Sequence, residues 1–413
     1  MSVFRTLNRM WVTLSLVALV VPSSQSALAQ TCDATCGGGP SCDCNCTPTP
    51  CPGPTCDPIC VTQPGYSGGS GTANDPYKIG KPLDLVHLSK HSTDWNKYFC
   101  QIQDIDMAAT PCQPITPIGT QAIPFTGCYS GNRYKIRNLE VVSVDLSTAD
   151  ATGMFGVVGR DGTAQVAGTV VDVFLENPTV IGSTIDVGSL IGRLVYGCVY
   201  CCGAMSGRAF NGADLHYTST GGLIGQMCPA TLVWKSFSTT LVSGADFVGG
   251  LVGQNAGQIE YCYAENKVIQ SGNWPPAMIV EPYVCLGGLV GFNNGGSIRG
   301  SYAYSLWLYS YEPIPNGRSV FKGGLVGLWV PPNGIPFFPA PYNFSRHCTP
   351  GLNQSVPNNS IGFPNQASTP WANGVAKSKN DSDMLKRATY EGWDFEDIWF
   401  IVDGTDTPRL RCF

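Results

Sequence analysis

The chain has 413 residues, only 13% of them charged, with 49 glycines and a formal net charge of −5. That length suits two ordinary domains or one repeat array, and the low charge argues against charge-driven disorder. The small negative balance gives no reason to expect nucleic acid or an anionic membrane as a partner.

Residues 1–29 read as a signal peptide. Arg5 and Arg9 form a basic end, and Trp11–Val21 is an apolar core too short to span a bilayer. Ala27-Leu28-Ala29 is a small-x-small cleavage site, so processing after Ala29 is expected to leave Gln30 first. No later stretch is apolar over about 18 residues, so no transmembrane segment is expected.

Residues 30–64 form a head or linker rich in Cys, Pro and Gly, with Cys32, Cys36, Cys42, Cys44, Cys46, Cys51, Cys56 and Cys60. So few apolar residues cannot build a core, which leaves a disulfide-stapled knot or a disordered linker. Zinc is the alternative for clustered thiolates, but no histidine is present and the spacings match no finger. Export makes disulfides permissible, and the odd total of 19 cysteines allows cross-linking to another chain.

Residues 65–150 read as an N-terminal cap and first coils. Leu83–His91 has the look of a short capping helix. His87 and His91, four apart, can share a metal, but no third ligand is near in sequence, so a solvated cap face is the simpler reading and no metal is expected. Asp104 and Asp106 alternate with Ile105 and Met107 and so face one side of a strand. Paired carboxylates suit acid–base or calcium chemistry, whereas period-two alternation is also what a half-buried edge strand shows.

Residues 151–330 carry a repeat. Gly-Gly-Leu-Val-Gly stands at Gly249–Gly253, Gly287–Gly291 and Gly323–Gly327, with close copies at Gly221–Gly225, Gly188–Gly192 and Gly153–Gly156. Anchored on Met154, Leu190, Leu223, Leu251, Leu289 and Leu325, the steps are 36, 33, 28, 38 and 36 residues. Such a period signals a solenoid whose units bury apolar surface against one another. The cleanest unit has three short apolar runs: Leu251-Val252, Ile259–Ala264 and Lys267–Ile269. Each is too short for an ordinary helix and rich in β-branched and aromatic residues, so the unit reads as one three-stranded coil of a parallel β-helix. The five leucines should form one inward ladder. Cys201, Ser236, Cys262 and Ser301 should form a second at a tight corner. Cys201 and Cys262, two coils or about 9–10 Å apart, are too far for a disulfide and should be buried, unpaired thiols.

The glycine phrase, its Asn/Gly turn and the following Ile and Cys/Ser-Tyr-Ala resemble the GLUG repeat, found in large secreted bacterial proteins that include adhesins and immunoglobulin A1 peptidases. Gly68–Tyr77, Asp104–Met107 and Ile136–Leu139 resemble the openings of such proteins, and Asp383–Pro408 their closing segment. The resemblance implies an all-β fold, a right-handed parallel β-helix with short capping elements, on a secreted or surface-displayed and often adhesive protein. Its repeat glycines and leucines here are Gly188, Leu190, Gly192, Gly221, Leu223, Gly225, Gly249, Leu251, Gly253, Gly287, Leu289, Gly291, Gly323, Leu325 and Gly327. The first two units are degraded, and no His-Glu pair exists, so the zinc-peptidase signature is absent.

Residues 331–413 read as an irregular Pro- and aromatic-rich segment followed by a C-terminal cap, placed at Trp393–Trp399. Just before it, Leu306–Tyr311 alternates, so Trp307, Tyr309 and Tyr311 should form an outward stripe suited to sugar rings. Trp274 and Trp329 stand in neighbouring aromatic, Pro-rich insertions, which in solenoids tend to project from the binding face. The alternative is that these loops simply pack over the stripe. No catalytic residue and no cofactor are indicated. The leading reading is a non-enzymatic protein, secreted or at the cell surface, that recognises a glycan or a surface protein. A polysaccharide-degrading β-helix enzyme and a structural spacer are the alternatives, the former resting on fold analogy alone.

Overall fold

Short apolar runs broken by glycine and asparagine give strands rather than helices, and here the strands stack in parallel. The computed structural model describes residues 65–110, 114–143, 151–162, 164–212, 217–270, 283–304, 307–310, 319–330, 343–346, 361–363 and 376–413. The fold is a parallel β-helix. A coil is made of five strands, not three: in one coil they are Phe247–Gly249, Val252–Asn255, Gln258–Glu260, Tyr263–Ala264 and Lys267–Gln270. Equivalent strands of successive coils pair into five sheets of 5, 7, 8, 9 and 6 strands, here called first to fifth in coil order.

The pairing register reproduces the sequence period. Gly188, Gly221, Gly249, Gly287 and Gly323 are partners in the first sheet, and Phe155 pairs with Ile191 in the second. The glycine phrase is the corner between those two sheets. There the N–H of Leu223 donates to the carbonyl of Leu251 at 3.0 Å, Leu251 to Leu289 at 2.9 Å and Leu289 to Leu325 at 2.9 Å. All five leucines are fully buried, each contributing about 1.5–3 kcal/mol. A Cβ at Gly249 would collide with the carbonyl oxygen of Val252, so the chain can close this corner only with glycine there.

One of the two extra strands, Phe247–Gly249, precedes the glycine corner, and the other comes from a second kind of corner. Asp172, Cys201, Lys235, Tyr261 and Gly300 take left-handed φ values of 52°, 48°, 47°, 53° and 55° between the third and fourth sheets. Four of the five are not glycine, so this corner leaves no glycine signal, and it divides Ile259–Ala264 into two strands. Val173 follows Asp172, but after the other four the next residue is small and able to hydrogen-bond. Cys202 N–H donates to Ser236 Oγ at 3.1 Å, Ser236 N–H to Cys262 Sγ at 3.4 Å, Cys262 N–H to Ser301 Oγ at 3.0 Å, and Ser301 N–H to Asn343 Oδ1 at 3.0 Å. The corner ladder therefore runs through Cys202, not Cys201, because the left-handed residue occupies one position. Cys201 and Cys262 are both buried, and no disulfide joins them.

Capping differs at the two ends. The helix Pro82–Lys90 lies before the first coils, and buries Leu85, Val86 and Leu88. The C-terminal segment does not plug the far end. It lies along the outer face of the fourth sheet, where Phe174, Phe237, Tyr263, Tyr302 and Phe344 pack with Met384, Tyr390, Trp393, Phe395, Ile398, Trp399 and Leu410. Tyr302 Oη donates to the carbonyl of Pro408 at 2.7 Å, and Arg409 Nη1 reaches Glu265 Oε2 at 2.7 Å. The expected cap is thus a side buttress.

Candidate functional site

Of the expected aromatic stripe, Tyr309 lies on the outer face of the fifth sheet. In strand Trp307–Ser310, Leu308 is buried and Tyr309 is half-buried, as alternation requires. Tyr309 pairs with Ile269, Ile269 with Ser243, Ser243 with Phe210, and Phe210 with Ile181. In the adjacent row Trp307 pairs with Lys267, and Leu241 with Arg208. Phe210 is 37% exposed and Leu241 37%. From Phe210 to Tyr309 is three strand spacings, about 14 Å, enough to lie along several residues of an extended ligand.

Sequence reasoning did not single out Phe210 and Leu241. Their signal is the exposed–buried alternation of Arg208–Asn211, which needs the strand register to be read. Tyr311 and Trp274 lie outside the described residues. Trp329 does not join the stripe: it ends strand Val326–Val330, pairs with Asn293 in the Asn255 row, and is 1% exposed. The Pro-rich text after it suggested a loop, but the strand runs on to Val330 and turns the indole inward.

Asp104 and Asp106 both face solvent, and both are engaged. Arg137 Nη2 reaches Asp104 Oδ2 at 2.8 Å, Arg137 Nε reaches Glu176 Oε2 at 2.8 Å, and Lys135 Nζ reaches Glu176 Oε1 at 3.3 Å. Asn138 Nδ2 donates to Asp106 Oδ1 at 2.9 Å. The Lys135 N–H, with Arg137, holds Asp104 below the usual carboxylate range, and the Asn138 amide does the same for Asp106. Carboxyls held ionised in this way are poor proton donors. His87 and His91 stack with ring centroids 3.5 Å apart, and His91 Nδ1 is 2.8 Å from the His87 carbonyl. Burial, then the neighbouring His91, pulls the His87 pKa down. Among the described residues no third ligand joins them.

A seam runs between the outer faces of the first and second sheets, and its lining changes along the axis. Asp186 and Arg193 pair there at 2.5 Å, then Ser219 and Gln226 meet Gln254, then Phe247 meets Phe292 with ring centroids 4.9 Å apart. Burial, opposed by Arg193, raises the Asp186 carboxyl to about 6. The side chain is fully buried, so no substrate proton is within its reach. The seam is filled by its own side chains.

A cavity of about 340 Å³ opens between the C-terminal segment and the solenoid wall, lined among others by Met205, Phe237, Tyr263, Phe400, Arg409 and Phe413. No helix among the described residues is long and apolar enough to cross a membrane.

Comparison with known proteins agrees with this architecture. Residues 248–269 match the family model of the GLUG motif. Halomucin of Haloquadratum walsbyi is 31% identical over 183 residues, 42% of this chain and 2% of that protein. A "Putative Gly-rich membrane protein" of Evansella cellulosilytica is 29% identical over 194 residues, 46% of this chain and 21% of that protein. The chain thus spans only a small part of these relatives. A crystal structure of a "putative immunoglobulin A1 protease" from Bacteroides ovatus superposes with a TM-score of 0.54 at 16% identity, covering 84% of this chain and 96% of that one. That likeness is one of fold.

Proposed function

We propose that this GLUG-motif β-helix is an exported, non-enzymatic surface protein that recognises an extended glycan on the outer face of its fifth sheet. The observation that carries the reading is the row Phe210, Ser243, Ile269 and Tyr309, in register on four successive coils and open to solvent at Phe210. The rings of Phe210 and Tyr309, with Ile269 between them, offer apolar contact to sugar faces, and Arg208 and Lys267 beside the row supply hydrogen-bond donors. The names of the relatives, a mucin-like and a membrane protein, support surface display. The N-terminal signal pattern supports export. The exposed carboxylates near the N-terminal end are ion-paired rather than poised for proton transfer, which favours binding over cleavage.

Incubation of the purified chain with a polysaccharide panel, scoring retention and new chain ends separately, tests this. Retention without cleavage, lost in Tyr309→Ala and Phe210→Ala, is expected. New reducing or unsaturated ends would favour the polysaccharide-degrading alternative. Retention unchanged in both variants would move the site off this face.

A further inference from the structure

Gly203 interrupts the aromatic row of the fourth sheet. It pairs with both Phe174 and Phe237, whose ring centroids stand 6.4 Å apart across it. Phe413 fills that gap edge-on, 4.5 Å from the Phe174 centroid and 4.7 Å from that of Phe237. This wedge fixes the position of the residue before it. Cys412 Sγ lies 3.7 Å from the carbonyl oxygen of Lys235. On the same stretch of wall, Cys201 N–H donates to the carbonyl of Trp234 at 3.1 Å. Cys201 and Cys412 therefore sit at two consecutive carbonyls of one stretch of wall, those of Trp234 and Lys235.

We propose that Cys201 and Cys412 form a disulfide that clips the C-terminal segment to the solenoid wall. Cys202, the neighbouring thiol, is committed inward to the corner ladder, so the left-handed turn at Cys201 is what presents one sulfur of this pair to the segment. The proposal rests on the export reading for its oxidant, a disulfide of the kind present outside the cytosol, either a dithiol oxidase or a small-molecule disulfide. Half-exposed Cys412 reacts first: its thiolate attacks the oxidant disulfide, and one oxidant thiol leaves. The sulfur of buried Cys201, its proton lost to solvent, then attacks Cys412 Sγ and releases the second oxidant thiol. Two cysteine protons and two electrons are lost, one S–S bond forms, and the oxidant is reduced to two thiols. Burial holds the Cys201 proton tightly, so the second step is the slow one.

The test uses the full chain in two preparations: reduced protein treated with oxidised glutathione, and protein recovered from outside the producing cell. Trypsin cuts after Arg193, Arg208 and Arg411, so a non-reduced digest should contain Leu194–Arg208 joined to Cys412-Phe413, with fragmentation placing the bond at Cys201. Tryptic cleavage after Arg411 in the folded chain should be several-fold faster after reduction and in Cys412→Ser or Cys201→Ser. Free thiols at both positions after glutathione oxidation would overturn the staple. A bond formed by glutathione yet absent from cell-derived protein would sink the export reading and leave the geometric pairing standing.

Discussion

The outer face of the fourth sheet is two different surfaces built on one backbone. Near its N-terminal end the rows carry Lys135, Arg137 and Glu176, charged side chains that stay in water and pair with one another and with Asp104. Farther along, the row that began with Lys135 continues as Phe174, Gly203, Phe237, Tyr263, Tyr302 and Phe344. Phe237, Tyr263 and Tyr302 stack almost parallel at 4.9 and 5.2 Å, close to the strand spacing itself. Register decides which residues stack, and residue type decides whether the stack stays wet or draws another segment over it. The aromatic half would be a large exposed apolar patch if bare, and the C-terminal segment is what covers it.

Removing the cover should have the largest effect. Trp399 is fully buried against Tyr263, Tyr302 and Trp393, so Trp399→Ala should cost about 3–5 kcal/mol in denaturant unfolding. It should also open the segment to proteases before the solenoid yields. A variant with unchanged stability and unchanged proteolysis would show that the aromatic half needs no cover.

A buried ion pair sharpens the contrast with the exposed charges. The folded Asp186 carboxyl is raised to about 6 from 3.8, so the native state holds a proton that the unfolded state has lost between those values. Its contribution to stability is therefore fully present below about pH 4 and falls as pH rises to about 6, by roughly 3 kcal/mol. Asp186→Asn should flatten that slope. Asp104 and Glu176, held low by Lys135 and Arg137, act in the opposite sense: they stabilise at neutral pH, and that stability is lost as pH falls through their folded values. A melting series from pH 3 to 7 in both backgrounds separates the two. Of smaller size, Gly203→Leu should drive a side chain into the Phe237 ring and cost about 1–3 kcal/mol in denaturant unfolding.

The period, the leucine ladder and the parallel stacking were legible because the Gly-Gly-Leu corner repeats in one-dimensional text. The second corner was not, since Asp172, Lys235 and Tyr261 adopt left-handed conformations without glycine, and their stability comes from neighbouring coils. That is why Cys201 was placed one position off and Ile259–Ala264 looked like a single strand. The C-terminal cap was located by its aromatic density, but its docking on a lateral face depends on contacts between residues more than a hundred positions apart, as with Tyr302 and Pro408. Of the candidate site, Tyr309 was readable from alternation, while Phe210 and Leu241 needed the register. Trp329 was misread because a strand end and a loop start look alike beside proline.

The smallest effect belongs to the charged half, and it bears most directly on what that half is for. Arg137 bridges Asp104 and Glu176, yet all three side chains are about a third exposed or more, so water and salt screen the pairs. Arg137→Ala should therefore barely lower the denaturation midpoint, and less still at high salt. A large loss that persists in molar salt would mean these pairs hold the first coils together as the aromatic cover holds the later ones. A small, salt-sensitive loss would mean the charges only keep an uncovered sheet face soluble, blunting it against unwanted association while the aromatic half is sealed by its own chain.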